Sequence, residues 1–280
     1  MVVKQQGLKR LTQNGAFYTF LTLVAVATVF PVLLMMSTSL KQIQSVFEIP
    51  FRWIPDPVQW SNYVTIFERY QFFRFFLNSL FVASVTAAVN LFLSSMAGFG
   101  IAKYRFPARG VILAFVIITL LLPRQALVVP LFLVVRSFGL VDSLWAVILP
   151  FAATPFGIFL MTQYMRTVPD SLLESPRIDG ATEFLTFRKI VVPMVTPAFA
   201  ALGIFAFTFN WNNFLWPLVI LRSEENFTMP LGISLMQGAY ATSYNLLLAA
   251  AAVSALPILV VYIFLQRFFI SSVALSGLKE

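Results

Sequence analysis

Two sites within the chain's apolar stretches place polar groups where they could do chemistry. One is Pro123-Arg124-Gln125, followed by Pro130 seven residues after the first proline, and the other is Asn210 and Asn213 beside Trp211 and Trp216. An arginine at the bilayer centre costs about 2.5–3.5 kcal/mol on insertion scales. Arg124 is therefore expected to face a cavity or a partner, or to lie nearer the outer surface; snorkelling or capping at a broken helix is the plainer alternative. Proline removes a backbone donor and disturbs the preceding turn, so the stretch around Pro123 should be irregular. At helical spacing Asn210, Asn213 and Pro217 share one face. Because amides are costly in lipid, that face is expected to meet another helix or to line a path through the membrane.

Several chemistries are excluded by residues the sequence lacks. There is no cysteine and no histidine, so disulfides, thiolate nucleophiles, imidazole bases and the usual zinc, copper or haem ligation are closed to this chain alone. None of the eleven acids falls inside an apolar run, which leaves no catalytic constellation. The same absence argues against the alternative function, an ion- or proton-coupled secondary transporter of small solutes. No metal site or cofactor of the chain's own is expected.

Such residues need a membrane scaffold to hold them. Of 280 residues, 59% are hydrophobic and 11% charged, beyond what a soluble core explains at this length. About 20 apolar residues cross a bilayer as a helix, and six runs qualify: about Ala16–Ser39, Leu77–Ala102, Val111–Val135, Leu144–Met161, Ala198–Leu221 and Leu246–Ile270. None alternates at period two, so the expectation is an all-α polytopic membrane protein and not a β-barrel. One membrane domain over residues 1–280 is the natural parse, with no repeat or linker visible.

Lys and Arg set the orientation. With the N-terminus inside, the inner segments hold twelve basic residues against five acids, whereas the outer ones are balanced at six and six. The net charge of +8 is thus a topology signal and not a nucleic-acid footprint. The first run follows a basic patch but exceeds a signal-peptide core and lacks a small-x-small exit, so it is expected to be retained as a helix. Both termini are expected in the cytoplasm, and membrane lipid is the surrounding partner. The aromatics of the first external loop, including Trp53 and Trp60, suit an interfacial belt.

Between the fourth and fifth runs lies a polar stretch, about residues 165–190. Pro169-Asp170-Ser171 is a helix-start signal, Gly180 can take the positive φ that a turn requires, and a second helix is expected near Thr182, with Glu183 in its first turn and Arg188-Lys189 in its last. Leu172, Leu173, Phe184, Leu185, Phe187 and Ile190 give this pair an apolar side. A proline at 176 would withdraw the bond to the Leu172 carbonyl, so the first helix is expected either to start late enough to hold Pro176 in its first turn or to bend there. A partly apolar knob of this kind fits a socket.

Glu174, Gly180, Ile190 and Pro193 match the register of the cytoplasmic loop of ABC importer permeases, Glu-Ala-Ala, three residues, Gly, nine residues, Ile-x-Leu-Pro. The match is carried with Ser175 and Pro176 in place of the two alanines and Val192 in place of leucine. The chain resembles, over nearly its whole length, the second permease subunit of maltose-type carbohydrate-uptake ABC importers. Asn78-Ser79-Leu80, Lys103-Tyr104-Arg105-Phe106-Pro107, Pro155-Phe156-Gly157, Trp211 through Leu218 with Asn213 where many relatives have Glu, and the ending Ser276-Gly277-Leu278-Lys279-Glu280 also carry the likeness.

That resemblance implies a type I importer permease fold of six spans in a prokaryotic inner membrane. It implies as partners a homologous second permease, two ATPase subunits and an extracytoplasmic solute-binding protein. ATP and Mg²⁺ would sit on the ATPase subunits, since this chain has no Gly-x-x-x-x-Gly-Lys-Ser/Thr loop and no soluble segment large enough for a nucleotide fold. The cargo would be a sugar, oligosaccharide or sugar derivative, moved by alternating access. Glu174, Ser175, Asp179, Gly180, Ala181 and Phe184 would couple to the ATPase. Arg124, Asn210, Asn213 and Trp216 are the candidate path residues, because sugars are bound by amide hydrogen bonds and aromatic stacking.

Overall fold

Apolar runs too long to fold as soluble elements become helices because only a helix satisfies its own backbone donors and acceptors in lipid. The computed structural model describes residues 2–178, 180–237 and 243–276. In chain order the helices are α1 (Val2–Ser39), α2 (Ser61–Arg69), α3 (Phe72–Lys103), α4 (Arg109–Leu121), α5 (Val128–Ser137), α6 (Leu144–Ile148), α7 (Pro155–Arg166), α8 (Ser171–Ile178), α9 (Glu183–Thr186), α10 (Val192–Met194), α11 (Thr196–Trp211), α12 (Leu215–Ile220), α13 (Met229–Leu235) and α14 (Tyr244–Ser276). Among the described residues four helices are long and apolar enough to cross a membrane, rising to six if each of two bent pairs counts as one span.

The first bent pair falls in the third expected span; the second leads into the fifth, its bend lying just ahead of Ala198. Arg109–Leu121 and Arg124–Ser137 meet at 102°, and Glu183–Met194 and Thr196–Trp211 at 84°. In the first, Pro123 is extended at the break and Arg124–Leu127 forms a single 3-10 turn before α5, as expected of a proline that cannot continue the ladder. The fifth span differs from its expected course, an unbroken run to Leu221. Helix α11 ends at Trp211, Asn212–Phe214 is non-helical, and a separate six-residue α12 follows. Asn210, Asn213 and Pro217 therefore do not share one helical face.

The chain gathers into two compact units, one comprising residues up to Tyr70 with Leu235–Ser254, the other Gln71–Ser234 with the chain from Ala255 onward. In the first unit the buried Asn62 amide donates to the carbonyls of Ser39 and Lys41, each at 2.8 Å, and accepts from Asn245 at 3.0 Å. Trp53 packs edge-on against Phe30 and Phe51, half exposed, while Trp60 lies more open.

The second unit is built around α3, which packs against α7 and α11. Small residues let these backbones approach, the usual device where lipid offers no hydrophobic drive. A Cβ on Gly98 would lie 2.8 Å from the Met161 Cβ and 2.9 Å from the Thr162 nitrogen. Helix α7 starts where Thr154 caps the Gly157 amide at 3.1 Å with Pro155 in its first turn. Asn90 on α3 holds that start, donating to the Phe151 carbonyl at 3.0 Å and to Thr154 Oγ1 at 3.1 Å.

Candidate functional site

The inner side of the loop after α7 is part of the core. Leu173, 1% exposed, and Phe187 pack with Phe99, Met161, Met165, Val168 and Val191. The expected apolar side of the helix pair is thus divided. Leu173 and Phe187 plug the bundle, while Leu172, Ile178, Phe184 and Leu185 stay exposed. Glu174, Ser175 and Gly180 share that outer surface, and Ala181 is half-buried. Asp179 lies outside the described residues.

Turn chemistry fixes the angle between α8 and α9. Gly180 has φ +75 and open space where a Cβ would stand, so glycine is required there by conformation and not by crowding. The Ala181 amide donates to the Pro176 carbonyl at 2.9 Å, the six-to-one bond that closes a helix ending in a left-handed residue. Pro176 is the sixth residue of α8, past the first turn and not within it. Its missing donor costs the helix one bond, and its carbonyl supplies the closing one. Thr182 caps α9, accepting from the Leu185 amide at 3.3 Å.

The end of α3 clasps both arms of this loop. Lys103, its side chain 4% exposed, donates to Asp170 Oδ1 at 2.7 Å and to the Val168 carbonyl. The neighbouring Tyr104 hydroxyl donates to the Glu183 carboxylate and its ring meets Phe99 edge-on. Neither anchor is apparent from local pattern, because the partners lie 67 and 79 residues away.

The four candidate path residues converge on two neighbouring cavities in the second unit. The larger, of about 570 Å³, is lined by Arg124, Gln125, Phe151, Asn213 and Trp216 among others. The smaller, of about 310 Å³, is lined by Asn90, Arg124 and Asn210. Arg124, Thr154, Phe156 and Phe209 belong to both walls. Arg124 faces a cavity, as its charge demanded, with its guanidinium 4.0 Å from the centre of the Phe209 ring.

Polar groups in these walls are incompletely used. Asn210, 6% exposed, donates to the Ala206 carbonyl at 2.8 Å, leaving Oδ1 without a partner. Asn213 Oδ1 receives the Trp216 amide at 3.4 Å at the start of α12, and its Nδ2 has no partner. Trp216 itself is committed to structure: it is 3% exposed and its indole nitrogen donates to the Ala146 carbonyl at 2.9 Å. Trp211, fully buried against Phe76 and Phe207, is not available for stacking on a ligand.

A family model for the inner membrane component of binding-protein-dependent transport systems matches residues 90–274. The chain belongs to this family. It is 36% identical over 267 residues to the arabinooligosaccharides transport system permease protein AraQ of Bacillus subtilis, covering 94% of this chain and 95% of that protein. To the lactose transport system permease protein LacG of Rhizobium radiobacter it is 30% identical over 265 residues, covering 94% and 96%. A crystal structure of a bacterial ABC transporter involved in the import of the acidic polysaccharide alginate has the same fold, with TM-score 0.81 at 23% identity over 91% of this chain and 95% of that one. The all-α importer-permease fold expected from the sequence is therefore the fold observed. As a permease component the chain is a transport protein of an inner membrane.

Residue patterns single out Arg124, Asn210, Asn213 and Trp216 as a group, and the permease fold brings all four to the cavity walls. Phe209, Phe156 and Thr154 give no signal of their own, because aromatic and threonine residues in an apolar run look like ordinary packing. Asn90, a buried amide beside Ser94, is the residue whose type could have revealed the smaller cavity.

Proposed function

We propose that this permease is one half of a transmembrane pair importing a sugar, an oligosaccharide or a sugar derivative. It works with a homologous second permease, two ATPase subunits that hold ATP and Mg²⁺, and an extracytoplasmic solute-binding protein. Relatives named for arabinooligosaccharide and lactose transport support the cargo class. Both termini face the cytoplasm, which puts α8 and α9 on the ATPase side.

The observation that carries the coupling role is the divided loop: a face buried in the bundle and an outer face of Leu172, Glu174, Ser175, Ile178 and Phe184 left for a partner. Exposed apolar groups ringed by charge suit a socket on another protein. Closure of the ATPase pair moves the knob made by Glu174, Ser175, Asp179, Gly180, Ala181 and Phe184 as a unit, because Leu173 and the Lys103 and Tyr104 clasps bind it to the bundle. The bundle then switches the cavity around Arg124, Asn210, Asn213 and Trp216 between the two sides.

Reconstitution of the whole complex tests this. Uptake of labelled oligosaccharide is expected to require ATP and the binding protein and to ignore imposed ion gradients. Uptake by this chain alone under a proton or sodium gradient, without an ATPase, overturns it.

A further inference from the structure

The larger cavity is chemically lopsided. It holds a guanidinium and aromatic walls from Phe151, Phe156 and Phe209, yet among the described residues no aspartate or glutamate lines it or its smaller neighbour. Arg124 makes no ion pair among the described residues. Its guanidinium carbon stands 4.0 Å from the centre of the Phe209 ring, and its planar set of N–H donors suits a planar acceptor. A cation on a cavity wall, exposed to the cavity and with no acid beside it, is a site for an anion brought from elsewhere.

We infer that the cargo carries an acid group, a carboxylate or phosphate on a saccharide, and that Arg124 binds it inside this cavity. The inference rests on the sugar-permease function proposed above and narrows its substrate class. About 570 Å³ falls within the roughly 300–1,000 Å³ in which small ligands are held, enough for one or two sugar rings at a time. Around the acid group, the rings of Phe151, Phe156 and Phe209 offer faces for a sugar to stack on. A neutral sugar uses the rings but leaves the guanidinium unmatched. An acid uses both, and a charge-assisted pair is about twice as strong as a neutral hydrogen bond.

The test uses the assembled complex in lipid nanodiscs of uncharged lipid and measures binding of paired probes that differ only in charge. The pairs are uronate disaccharides against their methyl esters, and hexose 6-phosphates against the parent hexoses, which separates carboxylate from phosphate. At least one acid is expected to bind about tenfold more tightly than its neutral partner, the ratio that one charge-assisted bond supports. Arg124→Gln is expected to bring that ratio to near one, and Arg124→Lys to restore part of it.

Equal binding of acid and neutral partners, or a preference for the acid that Arg124→Gln leaves unchanged, overturns the inference while leaving a sugar permease intact. So does an Arg124 effect that appears only when phosphatidylglycerol is added to the disc. Failure of the complex to bind or transport any saccharide overturns the sugar-permease function itself, and the inference with it.

Discussion

The coupling loop and the cavity around Arg124 both present groups that the chain itself does not satisfy, and they do so by opposite means. In the loop the unsatisfied groups are apolar and exposed: Ile178 at 85% and Phe184 at 52% stand in the open while Leu173 anchors them from below. In the cavity they are polar and enclosed, with Asn210 Oδ1 and Asn213 Nδ2 shut away from any partner. Exposed apolar area suits a protein surface, whereas a polar cavity wall carrying Arg124 suits something small that comes and goes. The contrast is the basis on which a docking surface and a transient site are proposed within one chain.

Substitution at Gly180 should separate the two regions most sharply. With φ +75, a β-branched residue is strained by about 1–2 kcal/mol, while the open space around it offers no clash that would unfold the bundle. Gly180→Val is expected to lower ATP-driven uptake in the reconstituted complex about tenfold with melting temperature nearly unchanged, and Gly180→Asn, which tolerates that conformation, to retain most of it. Uptake and ATPase coupling left intact in Gly180→Val would break the docking assignment.

Gly98→Ala should do the reverse. Its Cβ meets the backbone of Thr162, so α3 and α7 must separate at an overpacking cost of about 1–3 kcal/mol. Thermal unfolding in detergent is expected to show the loss, with ATP hydrolysed per sugar unchanged in the protein that survives. An altered ratio would mean that helix spacing, and not the knob alone, sets coupling.

Within the cavity, Asn213→Leu removes the unused donor and the contact to the Trp216 amide. The half-saturating sugar concentration is expected to rise about fivefold, the worth of one hydrogen bond, with basal ATPase activity held. A basal rate that changed instead would place Asn213 with the helix-positioning groups.

Asp142 supplies a pH control remote from both regions, in the loop between α5 and α6. Burial raises its pKa, but the Ser223 hydroxyl, the Arg222 and Ser223 amides and the Asn226 side chain outweigh burial and take it from 3.8 down to about 2. Because the unfolded chain takes the proton first, this stabilisation is complete above about pH 4 and is lost as pH falls toward 2. Melting temperature is expected to drop through that window, and less in Asp142→Asn. Smallest of all, Pro176→Ala restores a donor for the Leu172 carbonyl and leaves the Pro176-position carbonyl bond in place, so uptake and stimulated ATPase are expected to stay within about twofold. A severalfold change would show that the loop's shape is tuned there.

Much of this contrast is visible in the residues themselves. Arg124 between prolines announces a break and a cavity, because charge and ring chemistry are local facts. Gly180, with Thr182 two residues on, announces a capped turn for the same reason. What stays hidden depends on distance along the chain. The pair Asn212-Asn213 is itself a break signal after Trp211, but the apolar residues on either side, from Ala198 to Leu221, make the run look continuous. Leu172 and Leu173 are adjacent and chemically equal, and only the packing of Phe99 and Met165 decides which one is buried. The Lys103–Asp170 and Tyr104–Glu183 contacts are likewise set by where α3 ends in space.

Those two contacts give α3 a mechanical character. Its last residue grips the loop, and Asn90, which holds the start of α7 and walls the smaller cavity, lies thirteen residues earlier on the same unbroken helix. At 1.5 Å per residue that is about 20 Å of stiff rod. A tilt of about 3° imposed at one end displaces the other by about 1 Å, comparable with the ~1–2 Å helix shifts that switch packed interfaces. On the proposed coupling, sensitivity to the ATPase is a matter of leverage: the cavity wall at Asn90 feels a rotation too small to disturb the core that transmits it.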